Sequence, residues 1–247
     1  MNDFPPYEEL KKIEPQMMVT TMEKINQSFS DKSVPIPSRI ESINTLRSFR
    51  KYYFSFFLEL FGALKSKFLE NCLHYDENPR IQQISLRFLQ EIFDDDSYGV
   101  SNEMVYDLYN DILQFIEFKK SNVLKELAKS TIKTMAEKVV NEAKIIVLIE
   151  TLKNADDDLC GFIFECFKSA IENLKGYIYL NYNFNDILEK LNLDEASEEY
   201  LIKVKQIFHI LKNSMDKKDE DEILLTLNNF SIFHKFLTPL YISSKNL

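Results

Sequence analysis

Three histidines, three cysteines and three acidic runs are where this 247-residue chain would first be searched for a metal site or a catalytic centre. A metal needs imidazole, thiolate or carboxylate ligands brought together at characteristic spacings. His74, His209 and His234 are far apart in the chain, and His209 sits in the apolar run Gln206 to Leu211, the setting of a satisfied core histidine. Cys72, Cys160 and Cys166 are odd in number and lack C-x-x-C spacing, which points to buried free thiols in a reducing compartment. The acidic runs Asp94–Asp96, Asp156–Asp158 and Asp219–Asp221 lack the central glycine of a calcium loop and read as solvated loop charges and helix N-caps. No nucleophile elbow, phosphate loop or paired-histidine zinc helix occurs. Neither an enzyme nor a cofactor is expected.

The elements that would hold any site are helical. Four glycines stand where average usage would give roughly 17, too few for the turns of a many-stranded β fold. A hydrophobic content of 45% excludes the composition of a disordered chain. The longest apolar runs, such as Tyr52 to Leu64, are interrupted or shorter than the ~20 residues of a membrane span, and the segment after Met1 has no signal-peptide core. A net charge of −9 disfavours nucleic acid, whose binding rests on phosphate neutralisation. Twenty Phe and 12 Tyr alternate too irregularly for base stacking and are assigned to interhelical packing. No nucleic acid and no membrane is expected as a partner, and the expected location is cytoplasmic.

Helical segments recur. Starts at Pro37, Asn78, Ser121, Asp157 and Ser197 each place polar capping residues before apolar residues at helical spacing. They repeat about every 40 residues, the period of a HEAT or armadillo pair. The first two share a spelling, Arg39-Ile40-x-x-Ile43 and Arg80-Ile81-x-x-Ile84. Partner helices fit between the starts, one of them beginning at Gly176. The expectation is an all-α protein, an α-solenoid of about six HEAT-like antiparallel helix pairs. It would form a single domain over 1–247, with the solenoid core at about 15–240. A helical bundle in which similar amphipathic helices recur by chance is the plain alternative.

Within this pattern, the segments Met22 to Phe49 and Ile112 to Val139 combine a helix, a short polar loop and a second helix opening with Arg or a packing alanine. They resemble TOG domains, the tubulin-binding HEAT arrays of microtubule regulators, and most closely the CLASP branch and its ciliary relatives. The resemblance covers most of the chain through degenerate, core-periodic motifs. It implies that the loops inside each pair line one edge and that this edge grips tubulin or the microtubule lattice. By position, the implied contacts are Ile36 in the first loop, Arg39 three residues on, Arg80 at the second unit, Lys119, Lys120 and Asn122 at the third, and Lys153 before the fourth. The implied location is the cytoskeleton, including the cilium or axoneme.

The physical logic is that tubulin is acidic, so a basic row on an acidic solenoid would orient encounter. An apolar first loop would add a buried anchor. Two departures stand against the pattern. The chain has no tryptophan for the first loop, and its fourth and fifth loops, at Asp156–Asp158 and Asp194–Glu199, are acidic. Lys203 and Lys205, inside the fifth helix, would compensate in part. The rival reading is a HEAT or armadillo scaffold that binds a peptide or helix of another protein along second-helix side chains, without affinity for tubulin.

Overall fold

The structure is a computed structural model that describes residues 3–74, 78–94, 100–119, 121–139, 143–181, 197–200, 202–204 and 206. Regular secondary structure among the described residues is helical throughout. The chain divides into two compact units, Met1–Lys138 and Val139–Leu247, where periodicity alone reads one continuous array.

The first unit holds α1 (Met18–Ser30), α2 (Ile36–Tyr52), α3 (Phe54–Phe68), α4 (Pro79–Asp94), α5 (Asn102–Phe118) and α6 (Asn122–Lys138). The starts expected at Pro37, Asn78 and Ser121 fall within one residue of the observed helices. Polar residues set the boundaries as a capping argument requires. Asn78 Oδ1 accepts the Arg80 N–H at 2.9 Å, and Ser101 Oγ accepts the Met104 N–H at 3.2 Å.

The six helices form two rows. In one, Lys67 reaches Asn26 across 41 residues, Asn71 reaches Phe29 across 42, and Lys65 pairs with Asp107 across 42, linking α1, α3 and α5. In the other, Arg47 bonds Glu91 across 44 residues, Gln90 bonds Thr134 across 44, and Thr131 bonds the Leu86 carbonyl across 45. An offset that stays nearly constant along a contact means that the two helices run parallel. So α2, α4 and α6 stand side by side with their N-terminal ends at one edge. Helices α2 and α3 run antiparallel, because Phe49 meets Phe56 at one end with ring centroids 5.1 Å apart, while Arg39 reaches Asn71 at the other.

Between the rows lies a seam of rings. Phe57 and Phe61 stack at 5.5 Å, and Phe88 sets its edge against Phe61 at 5.5 Å and Phe68 at 5.6 Å. Phe29 closes the seam on Phe68 at 5.5 Å. Such pairs add about 0.5–1.5 kcal/mol each beyond the area they bury. These five phenylalanines are fully buried, in line with the assignment of the aromatic residues to interhelical packing.

Helix α3 does not end at Phe68. It continues as a wide π turn over Leu69–His74, in which the i→i−4 pattern is lost and carbonyls are left for other donors. Neighbouring helices supply them. Arg39 of α2 donates to the Asn71 carbonyl at 3.2 Å, Gln82 of α4 to Leu73 at 2.8 Å, and Ser85 to Cys72 at 3.3 Å. These donors are all buried, and the π turn accounts for their burial.

Ahead of α1, residues 3–13 run along α2 without forming an α-helix of their own. They make one 3₁₀ turn at Tyr7–Glu9, and Leu10 is their one buried side chain.

In the second unit, α7 (Ala143–Thr151) and α8 (Asp157–Asn181) pack together. Asp156 Oδ1 accepts the Leu159 N–H at 2.8 Å, so the acidic run caps α8. Helix α8 passes through Gly176, where a new helix was expected to begin. An isolated glycine lowers helix propensity by about 1 kcal/mol and does not end a helix unaided. Ser197 Oγ accepts the Tyr200 N–H at 3.2 Å, and the described residues 198–200, 202–204 and 206 are helical. Tyr200 ties that stretch to α7 through the Ile149 carbonyl at 3.2 Å. Cys72, Cys160 and Cys166 are all buried. Among the described residues, no helix is long and apolar enough to cross a membrane.

Candidate protein-binding edge

The N-terminal ends of α2, α4 and α6 carry the residues that the repeat pattern nominates. Ile36 opens α2 between Pro35 and Pro37 and is half-buried. The proline after it suits the first turn, where the missing N–H has no intrahelical partner.

Arg39 is placed differently from the expectation of an edge contact. It is only 6% exposed, and its guanidinium donates to Lys32 O at 2.9 Å, Val34 O at 3.1 Å and Asn71 O at 3.2 Å. It braces the loop before α2 against the π turn. Its planar five-donor fork meets the three carbonyls in fixed directions, which an ammonium on a flexible stem does not reproduce.

Arg80 stands one unit along, with its side chain 56% exposed and paired with the Asp3 carboxylate. In the third unit, Lys119 caps α5 through its N–H on the Phe115 carbonyl at 3.0 Å. Its ammonium lies 5.7 Å from the centre of the Phe115 ring. Asn122 is exposed at the first position of α6. Lys120 lies outside the described residues. Beside these polar groups Phe118 is 76% and Val123 72% exposed, so the third loop presents apolar surface next to its lysine. Periodicity assigns both to helices and does not single them out; exposure identifies them.

Lys153 belongs to the second unit, exposed in the turn after α7, with its N–H on Glu150 O at 3.1 Å. Lys203 is engaged within the same unit, donating to Ala155 O at 2.9 Å and pairing with Glu199 at 2.9 Å. Glu199 is the principal cause that holds its ammonium above the usual lysine range. Lys205 and the acidic run at 219–221 lie outside the described residues.

A second concave feature lies between α3 and α5, an open cleft of about 560 Å³ lined by Lys65, Glu70, His74, Asp107 and Asp111 among others. His74 Nε2 is 2.8 Å from Asp111 Oδ1, and Lys65 pairs with Asp107. Each basic group is matched to a carboxylate on the facing helix, an arrangement that ties α3 to α5. His209 and His234 lie outside the described residues.

The sequence reading missed the segment Asp3 to Ile13. Its signal was present as Phe4, Tyr7 and Leu10 at a spacing of three, within a Pro-Pro and Glu-Glu context. No protein-family model matches this sequence, and no curated protein matches it either.

Proposed function

We propose that this chain is a non-enzymatic helical-repeat binding module, an α-solenoid of about six HEAT-like pairs resembling a TOG domain. Its loop edge would contact tubulin or the microtubule lattice, as part of the regulation of microtubule dynamics or of axonemal and cytoskeletal organisation. The observation that carries the reading is the offset of 40 to 45 residues between successive helices of one row. A repeat of that length with parallel second helices is what a HEAT array requires. It also brings the first turns of α2, α4 and α6, bearing Ile36, Arg80 and Asn122, to one edge beside Lys119.

An acidic partner suits that edge for two reasons. Three helix N-termini point their positive poles the same way, and lysine or arginine side chains flank two of them. Arg39 supports the edge from beneath and is not itself a contact in this reading. Phe118 and Val123 supply the exposed apolar area that the missing tryptophan leaves wanting.

The test is gel filtration with soluble tubulin at low salt and co-sedimentation with microtubules, run in parallel with a Lys119→Glu/Lys120→Glu variant. The expected result is co-elution that the variant weakens at least about tenfold, with wild-type binding falling as salt rises. Absence of both co-elution and co-sedimentation sinks the tubulin reading. The second reading, a scaffold that holds an extended segment of another protein, is favoured by a specific observation: an extended segment already lies along α2.

A further inference from the structure

The segment Asp3 to Ile13 is bound to α2 in the way that an extended peptide is bound by a receptor. Its backbone carbonyls are taken one after another by side chains of the last turns of α2. Lys51 Nζ donates to Tyr7 O and Glu8 O at 2.9 Å each and to Leu10 O at 3.4 Å. Tyr52 Oη donates to Leu10 O at 2.8 Å, and Tyr53 Oη to Ile13 O at 2.6 Å. At the other end, Asn44 donates to Asp3 O at 2.9 Å and Arg80 pairs with the Asp3 carboxylate.

The side chains are read as well. The Arg47 guanidinium lies 3.5 Å from the centre of the Phe4 ring, and it is fixed there by Glu91 at 2.8 Å and Asn44 Oδ1 at 3.0 Å. Arg50 donates to Tyr7 Oη at 3.2 Å, its guanidinium carbon 5.5 Å from that ring's centre. Phe4, Tyr7 and Leu10 recur every three residues, the period of both the polyproline helix that Pro5-Pro6 favours and the 3₁₀ turn that follows. All three therefore face α2, while Glu8 and Glu9 remain exposed.

This arrangement separates the surface from the segment on it. Arg47 is held by Glu91 of α4 and by Asn44 independently of the Phe4 ring, so this part of the surface is preorganised, and a rigid surface loses less on binding. The segment itself buries only Leu10 and is held mainly by polar contacts and ring faces, each worth about 1 kcal/mol. A strap of that kind is exchangeable.

We propose that the α2–α4 face is a recognition site for an extended segment carrying Phe, Tyr and Leu at intervals of three, with prolines between the first two and acidic residues between the last two. The chain's own residues 3–13 fill it in cis, and a partner protein bearing such a segment displaces them. The proposal rests on the scaffold reading and not on the tubulin one, and its test contains no tubulin.

The probe is a fluorescein-labelled peptide of residues 3–13, followed by anisotropy with the 247-residue chain. Three proteins are compared: the wild type, a Phe4→Ser/Tyr7→Ser variant that loosens the strap, and that variant with Lys51→Glu added. The loosened variant is expected to bind the peptide at least about tenfold more tightly than the wild type, because its site is no longer occupied. Lys51→Glu is expected to abolish that binding, and a scrambled peptide of the same composition to bind at least tenfold more weakly. Circular dichroism and urea titration of all three check the fold.

Equal binding by wild type and loosened variant, or equal binding of the scrambled peptide, overturns the proposal. So does no binding to a loosened variant that keeps its helical signal and cooperative transition. Loss of that transition in the loosened variant would make the segment an integral part of the core, which also overturns it. A wild-type dimer in light scattering that dissociates on loosening the strap would assign the occupant to a second copy instead of a partner.

Discussion

Arg39 and Arg80 begin the same five-residue spelling, yet one is buried and the other largely exposed. Their apolar companions behave alike, since Ile40, Ile43, Ile81 and Ile84 are all core. The arginines part because of what lies opposite. Arg39 faces the π turn and the loop at 31–35, which offer it three carbonyls. Arg80 faces solvent and the Asp3 carboxylate. Equal sequence at equal repeat positions thus fixes the backbone and the greasy face, while the duty of the polar residue is set by its neighbours across the interface.

The contrast can be broken most severely at Arg39. Arg39→Ala should cost about 3 kcal/mol, because it removes a charged donor and strands buried carbonyls. A shift of the urea midpoint with an unchanged slope would report it. A loss under about 1 kcal/mol would mean that the brace is not structural.

Lys144 sharpens the same contrast from the side of charge. It is fully buried, and burial alone holds its ammonium down to about 7. In the unfolded chain that group keeps its proton up to about pH 10. Between those limits the unfolded chain binds more protons, so this residue's contribution makes stability rise with pH across the window and stay level below it. The expected slope is roughly 1 kcal/mol per pH unit. Urea titrations at pH 7, 8 and 9 should show it in the wild type and find it absent in Lys144→Met. Parallel pH profiles for the two proteins would refute the assignment.

Arg80→Ala is the mild end of the series. Its half-exposed pair should contribute no more than about 0.5 kcal/mol, within the scatter of a denaturation midpoint. A loss as large as that of Arg39→Ala would erase the distinction between the two positions.

Much of the first unit was legible in advance. The starts at Pro37, Asn78 and Ser121 and the helical spacing of Ile, Leu and Phe locate α1 to α6 closely, because both signals are local and the core periodicity is strong. The π turn was not legible. Leu69–His74 has an ordinary helical composition, and its wide turn depends on Arg39, Gln82 and Ser85, which arrive from other helices. The candidate edge was half legible. Loop position selects Ile36, Arg80, Lys119 and Asn122, but only three-dimensional surroundings distinguish a brace such as Arg39 from a side chain offered to solvent. Residues 3–13 were overlooked because a period of three belongs to neither an α-helix nor a strand.

The π turn carries one further consequence, for the order in which the molecule assembles. A regular helical turn supplies its own hydrogen bonds and can form and melt alone, whereas Asn71, Cys72 and Leu73 find donors for their carbonyls on α2 and α4. The stretch gains these three bonds only once both neighbours have docked. It therefore acts as a late-closing latch that fastens α2, α3 and α4 together in one step.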